Sequence, residues 1–181
     1  MRKIIQQTKN DFKIHPEDSI IEFKGIYEFL SNYYKCKVTY NGLTYKSSEA
    51  AYQAQKCYDP DERIKFIDLD PSEAKHLGRN VVFSEKWDNI KYDIMFNIVK
   101  AKFDQNPRLR RKLIRTGDRY LIEGNTWGDK YWGMVIKGED YITTLSLIGI
   151  IRRKHIIYLG DGENKLGKLL MTIRTIYNEG R

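Results

Sequence analysis

The chain is poor in cysteine. Its two, Cys36 and Cys57, allow at most one disulfide, which argues against a stapled secreted scaffold and for a reducing compartment. Histidine is as sparse: His15, His76 and His155 lie far apart with no partner at metal-ligand spacing, so no structural or catalytic metal is expected. Long apolar runs are missing too. The stretch 145–151 is interrupted by Ser146 and Gly149 and is too short to span a bilayer. The start Met1-Arg2-Lys3-Ile4-Ile5 has an apolar run of two residues, unlike a signal peptide. The expectation is a soluble cytoplasmic protein with no membrane partner. Gly160-Asp161-Gly162-Glu163-Asn164 lacks the lysine-serine ending of a phosphate-binding loop, and no cofactor is called for.

What is present points to a folded domain. Hydrophobic residues make up 41% of the 181, with 13 tyrosines and three tryptophans, more aromatic surface than a disordered chain carries. The length fits one domain. Lys and Arg number 32 against 24 Asp and Glu, and the resulting charge of +8 favours phosphate-bearing partners, whether nucleotide or polymer.

Periodicity divides the chain into a polar, aperiodic arm at 1–18 and a domain at 19–181. A strand is expected at 19–23. Asn41-Gly42, between Val38-Thr39-Tyr40 and Leu43-Thr44-Tyr45, predicts a tight β-hairpin. Ser47 caps a helix whose apolar side holds Ala50, Ala54, Cys57 and Tyr58. Asp59-Pro60 and Asp70-Pro71, each followed by a glutamate, start two short helices, the second stopped by Gly78. Trp87, Ile90, Ile94, Ile98 and Ala101 form the stripe of a core helix that ends at Asn106-Pro107, where another begins and runs to Thr116-Gly117. A strand at 120–123, two strands around a basic turn at Arg152-Arg153-Lys154, and a last helix through Leu166, Leu169, Leu170, Ile173 and Ile176 complete the reading.

Three clusters could carry chemistry. Glu49, Tyr52, Gln53 and Lys56 fall at i, i+3, i+4 and i+7 and share a helix face, which either meets water or lines a cleft. Phe29, Ser31, Asn32 and Tyr33 mix rings that stack with groups that hydrogen-bond a ring edge, although a tyrosine-rich turn explains them equally. Trp127 and Trp132 frame Asp129, a carboxylate fit to act as a general acid or to stabilise an oxocarbenium ion, and Glu49 with Asp129 is the pair these residues suggest.

Taken in order, the chain resembles the NADAR, or YbiA-like, family. The resemblance rests on Glu28-Phe29-Leu30-Ser31-Asn32-Tyr33, Ser47-Ser48-Glu49, Tyr52-Gln53-Ala54-Gln55-Lys56, Ala74-Lys75-His76-Leu77-Gly78-Arg79, Lys100-Ala101-Lys102-Phe103, Tyr131-Trp132-Gly133 and Leu166-Gly167-Lys168-Leu169-Leu170-Met171. It implies an α+β fold, predominantly helical, as a single domain with a small antiparallel sheet. It implies hydrolysis of an N-glycosidic bond, in phosphorylated ribosylamino-pyrimidine intermediates of riboflavin synthesis or in ADP-ribosylated guanine, with ADP-ribosylated nucleic acid as a further partner. A non-catalytic binder of ADP-ribose or nucleic acid is the alternative.

Carried over, the motifs make Glu49, Lys56, Asp129 and Trp132 the expected centre, with Ser31, Asn32, Gln53, Arg79, Trp87 and Lys102 as further ligand-binding candidates. Two departures stand out. Ala50 occupies a position where many relatives have histidine, and an extended insertion at 137–158 lengthens the chain after Trp132-Gly133, with Met134 in place of a glycine-rich continuation.

Overall fold

The computed structural model describes residues 12–14, 18–82, 86–145 and 151–180. Along the chain come β1 (Phe12–Ile14), β2 (Ser19–Ile20), a 3₁₀ helix at Gly25–Leu30, β3 (Lys35–Tyr40), β4 (Leu43–Ser47) and α1 (Ser48–Ala54). A second 3₁₀ helix at Pro60–Phe66 precedes α2 (Pro71–Leu77), α3 (Trp87–Gln105) and α4 (Pro107–Ile114). The chain then forms β5 (Tyr120–Leu121), β6 (Gly124–Asn125), β7 (Met134–Leu145), β8 (Ile151–Leu159) and α5 (Lys165–Glu179). The architecture is α+β. Strands β1, β8, β7 and β6 make one sheet in that order, while β2 with β5 and β3 with β4 make two small pairs.

Two compact units divide these elements. The first comprises residues 1–23 and 117–172, the second 24–116 and 173–181. The first holds the four-stranded sheet and the β2–β5 pair. Its β2–β5 and β6–β7 pairs are parallel, whereas β1–β8 and β7–β8 are antiparallel. Strand β1 forms inside the stretch read as an arm. The 3.0 Å bond from Glu123 N–H to Asn164 Oδ1 and the 2.9 Å bond from Asn164 Nδ2 to the Leu121 carbonyl tie the loop before α5 to the β5–β6 corner. Ile21 and Ile122 pack with Met134 and Ile136 as this unit's apolar cluster.

The expected basic turn is corrected here: Arg152, Arg153 and Lys154 lie within β8, opposite Thr144, Thr143 and Ile142. Residues 146–150, which connect the two strands, fall outside the described set. Isoleucines before and after the triplet, residues of high strand propensity, outweigh its charge. The strand expected at 19–23 is confined to two residues, and that at 120–123 forms only as β5 at Tyr120–Leu121, with β6 beginning just beyond it at Gly124.

The second unit obeys its local signals closely. Asn41 and Gly42 have φ of 49° and 79°, the left-handed pair a tight hairpin turn requires, and they set Tyr40 opposite Leu43. Asp70 accepts from the N–H groups of Ser72 and Glu73 while Glu73 returns a bond to the Asp70 N–H, a complete capping box. Asp59 caps more simply, accepting from the Asp61 N–H at 2.9 Å, and the helix it starts is 3₁₀ rather than α. The stripe of α3 buries Trp87, Met95, Ile98, Val99 and Phe103 but leaves Ile90 40% exposed. Tyr177 Oη donates to Asp104 Oδ1 at 2.8 Å, and Arg174 donates to Thr116 Oγ1 at 2.7 Å, which fixes the last turns of α5 to the ends of α3 and α4. No helix among the described residues is long and apolar enough to cross a membrane.

Candidate active site

Helix α1 is seven residues long and buried along its whole length. Three alanines, Ala50, Ala51 and Ala54, have no exposed surface and let its neighbours approach the backbone. The polar face is buried as well: Glu49 is 7% exposed, Tyr52 5% and Gln53 4%. A solvated face, the ordinary fate of such a pattern, is therefore not what forms.

The turn before β3 holds that face in place. Ser47 Oγ accepts from the Ala50 N–H at 3.0 Å and starts the helix, and the Glu49 N–H donates to the Asn32 carbonyl at 3.0 Å. Lys102, fully buried on α3, donates from Nζ to the Ser31 carbonyl at 2.8 Å with its ammonium 5.7 Å from the Tyr34 ring centre. The Asn32 side chain donates to Met95 Sδ at 3.2 Å. Residues 29–33 and α1 thus form one hydrogen-bonded assembly.

Within it, Gln53 Nε2 donates to Glu49 Oε1 at 2.8 Å. Three buried oxygens, Asn32 Oδ1, Ser48 Oγ and Gln53 Oε1, have no hydrogen-bond partner among the described residues. Leaving such groups unpaired costs about 1–3 kcal/mol each, an arrangement that functional sites retain and cores avoid.

Lys56 comes just after α1 and is half-buried. Its Nζ reaches the Gly78 carbonyl at 3.4 Å. Burial is the main reason its ammonium is held below the ordinary value of 10.5; Glu49 opposes that shift, and Lys75, Arg79 and Lys91 reinforce it. Tyr33 is pushed up to about 12, first by burial and then by Glu49, with Arg79 acting against them. Lys75 stands over the Tyr33 ring at 5.6 Å. Lys75, Arg79 and Lys91 thus act on Lys56 against Glu49, and since Lys91 is itself paired with Asp88 at 2.6 Å, Lys56, Lys75 and Arg79 are the cations suited to a phosphate.

Of the aromatic candidates, Phe29 and Trp87 are buried. Trp87 packs on Tyr52 with ring centres 5.2 Å apart, and Phe29 lies beneath Lys112 at 5.4 Å. Arg79 is exposed. Met95 is not among the site residues the sequence points to, and Ser48, Lys75 and Gly78 stand in the family motifs without a site role, Gly78 also as a helix stop. A Cβ at Gly78 would meet Gln53 Oε1, so the glycine's lack of a side chain is what lets α2 close on the amide. A cavity of about 420 Å³ lined by Cys57, Tyr58, Phe66, Leu77 and Val81, among others, includes none of the sequence-identified candidates.

Asp129 and Trp132 belong to the other unit. Asp129 Oδ1 accepts from the N–H groups of Tyr131 and Trp132 at 3.0 and 2.9 Å, and Asn125 donates to the Asp129 carbonyl at 2.8 Å. This carboxylate closes its own loop. Trp132 meets Tyr131 edge-on with ring centres 4.8 Å apart, while Trp127 is 63% exposed. Among the described residues no group of three or more His, Cys, Asp or Glu is placed to hold a metal ion.

These features define a class: small α+β proteins whose polar centre is one buried helix with a glutamate and a lysine set among cations. The NADAR domain model matches residues 15–177, and the chain belongs to that family. It is 34% identical over 149 residues to the riboflavin biosynthesis protein VVA0006 of Vibrio vulnificus, covering 81% of this chain and 34% of that one. The chain therefore spans about a third of the Vibrio relative. It is 31% identical over 165 residues to the N-glycosidase YbiA of Shigella boydii, covering 87% of this chain and 88% of that one. The NMR structure of the Escherichia coli protein YbiA superposes with a TM-score of 0.68 at 28% identity, over 90% of this chain and 87% of that chain.

Proposed function

We propose that the chain is an N-glycosidase acting on a phosphorylated ribosyl or ADP-ribosyl glycosylamine. The observation that carries this reading is the half-buried Lys56 amine beside Glu49, with Lys75, Arg79 and Lys91 around it. The relatives named for N-glycosidase activity and riboflavin biosynthesis support it. The cations hold the phosphate. Asn32, Ser48 and Gln53 offer their unpaired oxygens to sugar hydroxyls or base N–H groups, and Tyr33 covers the edge.

In the ring-opened glycosylamine, C1 of the sugar is bonded to nitrogen as an imine. The neutral Lys56 amine adds to C1, the bond from C1 to the base nitrogen breaks, and both Nζ protons pass by way of Glu49 to the departing nitrogen, which leaves as the base amine while the imine moves to lysine. Water then adds across the lysine imine, which restores Lys56 and releases the sugar as an aldehyde. Burial and cationic neighbours favour the neutral amine this requires. Asp129 and Trp132 are retained as candidates, the first as a second carboxylate and the second as a base-stacking ring.

The test is borohydride treatment during turnover of a ribosylamino-pyrimidine phosphate and, in parallel, of an ADP-ribosylated guanine nucleotide, with peptide mapping of the products. A reduced adduct on Lys56 is expected. An active Lys56→Ala variant would leave the carboxylate-assisted oxocarbenium route of Glu49 as the mechanism. Saturable binding without free base would leave a binding protein.

A further inference from the structure

The β7–β8 hairpin reaches beyond the strands that anchor it. The two strands, twelve and nine residues long, pair continuously from Gly138 opposite Tyr158 to Leu145 opposite Ile151. Strand β1 lies along β8 only at 157–159, and β6 lies along β7 only at 134–135. Among the described residues, no strand pairs with the outer edge of β8 at 151–156. Such an edge presents a row of backbone N–H and C=O groups, with every second residue pointing outward. A two-stranded ribbon is marginal in water, so this stretch gains from one more strand.

The sequence of that edge is selective. Arg152, Arg153 and Lys154 are three cations in succession, and β7 sets Thr144, Thr143 and Ile142 opposite them. Successive residues alternate between the two faces of the ribbon, so Arg153 belongs to one face and Arg152 and Lys154 to the other. Asp140 is placed diagonally to Lys154, but the β7 positions opposite and diagonal to Arg152 and Arg153 hold no acid. The charge of the triplet therefore goes largely unmatched by its own hairpin.

Two kinds of partner fit poorly. A second copy pairing antiparallel through the triplet sets Arg153 opposite itself and Arg152 opposite Lys154, like charge against like, which is how edge cations block self-association. A nucleic acid matches the charge, but its phosphates only accept hydrogen bonds and leave the outward carbonyls without donors. An extended polypeptide with carboxylates answers the carbonyls, the N–H groups and the cations together.

We propose that the outer edge of β8 at 151–156 takes an extended acidic segment of a partner protein as an added strand, with carboxylates opposite Arg152, Arg153 and Lys154. The main chain of the segment supplies the ladder, and its carboxylates fix the register. None of these residues belongs to the candidate active site, so the proposal stands apart from the N-glycosidase reading.

The probe is a fluorescein-labelled peptide of about seven residues, three consecutive glutamates flanked by valine and threonine, titrated onto the full chain by anisotropy. Amide hydrogen exchange at 151–156 is read with and without it. Saturable binding and slower exchange at the outward amides are expected. Arg152→Thr/Arg153→Thr, which keeps strand-forming residues, is expected to weaken binding about fivefold or more through the loss of two opposite-charge pairs. A second comparison leaves the protein untouched. Peptides N-methylated at odd or at even positions keep every side-chain charge, and one of the two is expected not to bind because its methyl groups meet the ladder.

No binding of the parent peptide, equal binding of both methylated peptides, or unchanged exchange at 151–156 overturns the proposal. A single-stranded oligonucleotide that displaces the peptide at equal charge and slows the same amides also overturns it and assigns the edge to nucleic acid. A dimer in sedimentation that the peptide does not dissociate overturns it as well and assigns the edge to a second copy.

Discussion

Gln53 bridges Glu49 and Gly78: its Nε2 donates to the Glu49 carboxylate at 2.8 Å, while its Oε1 lies where a side chain at Gly78 would stand. Introducing a methyl there forces the amide off the carboxylate. Gly78→Ala is expected to cost about 1–3 kcal/mol, the usual range for overpacking, and to lower kcat/KM by loosening Glu49. Urea unfolding of Gly78→Ala, Gln53→Ala and the double variant checks it. The double variant should recover much of the loss, and simple additivity would show that the two residues do not compete for space.

Lys56 sets a pH dependence. Its amine is held below 10.5 chiefly by burial, so between its folded value and 10.5 the unfolded chain binds more protons than the folded one. The charged lysine therefore destabilises the fold fully below its folded value, and the cost is removed as pH rises toward 10.5. Lys56→Met is expected to be more stable than the wild type at neutral pH, with the difference narrowing as pH increases. In catalysis, kcat/KM should rise with pH as the neutral amine forms. Glu49→Gln should lower the overall rate but shift that rising limb to lower pH, since Glu49 favours the charged lysine; a limb unmoved by Glu49→Gln would separate the two groups.

Much of the second unit was legible because its signals are local. Asn41-Gly42 demands one turn, Asp70-Pro71-Ser72-Glu73 one cap, and the apolar stripe from Trp87 one core helix. The candidate site was legible as residues but not as an environment: the spacing of Glu49, Tyr52, Gln53 and Lys56 is the same for a wet face and a buried one. What decides between them is Asn32, Met95, Lys102 and Gly78, which arrive from other elements. The Arg152-Arg153-Lys154 triplet misled because charge suggested a turn, whereas pairing across β7 is a long-range property.

Lys102, placed by sequence among ligand-binding groups, has no exposed surface and acts on the Ser31 carbonyl. We propose that it positions the turn of Ser31 and Asn32. Lys102→Met keeps most of the volume and removes a buried charge, so stability is expected to stay within about 1 kcal/mol or to rise. Lys102→Ala leaves a cavity and should cost about 2–5 kcal/mol. Both variants are expected to raise KM with kcat retained, because the turn loosens while Glu49 and Lys56 keep their places. A matched fall in kcat for Lys102→Met would point to direct participation.

Asp129 has one structural role, closing its loop, and one proposed role, as a second carboxylate, and a single atom can separate them. Its Oδ1 takes the Tyr131 and Trp132 N–H groups, and an asparagine oxygen can accept both of those bonds. Asp129→Asn is therefore expected to unfold within about 0.5 kcal/mol of the wild type, whereas Asp129→Ala, which leaves both donors without that acceptor, should cost about 1–3 kcal/mol. As the proposed second carboxylate, Asp129 should lose at least about tenfold in kcat as asparagine, the loss of one charge-stabilising or proton-transferring group. The two measurements together decide the role. A stable and fully active Asp129→Asn variant would remove Asp129 from the chemistry and leave it as the clamp of the Trp127–Trp132 loop, with Glu49 as the carboxylate that serves Lys56.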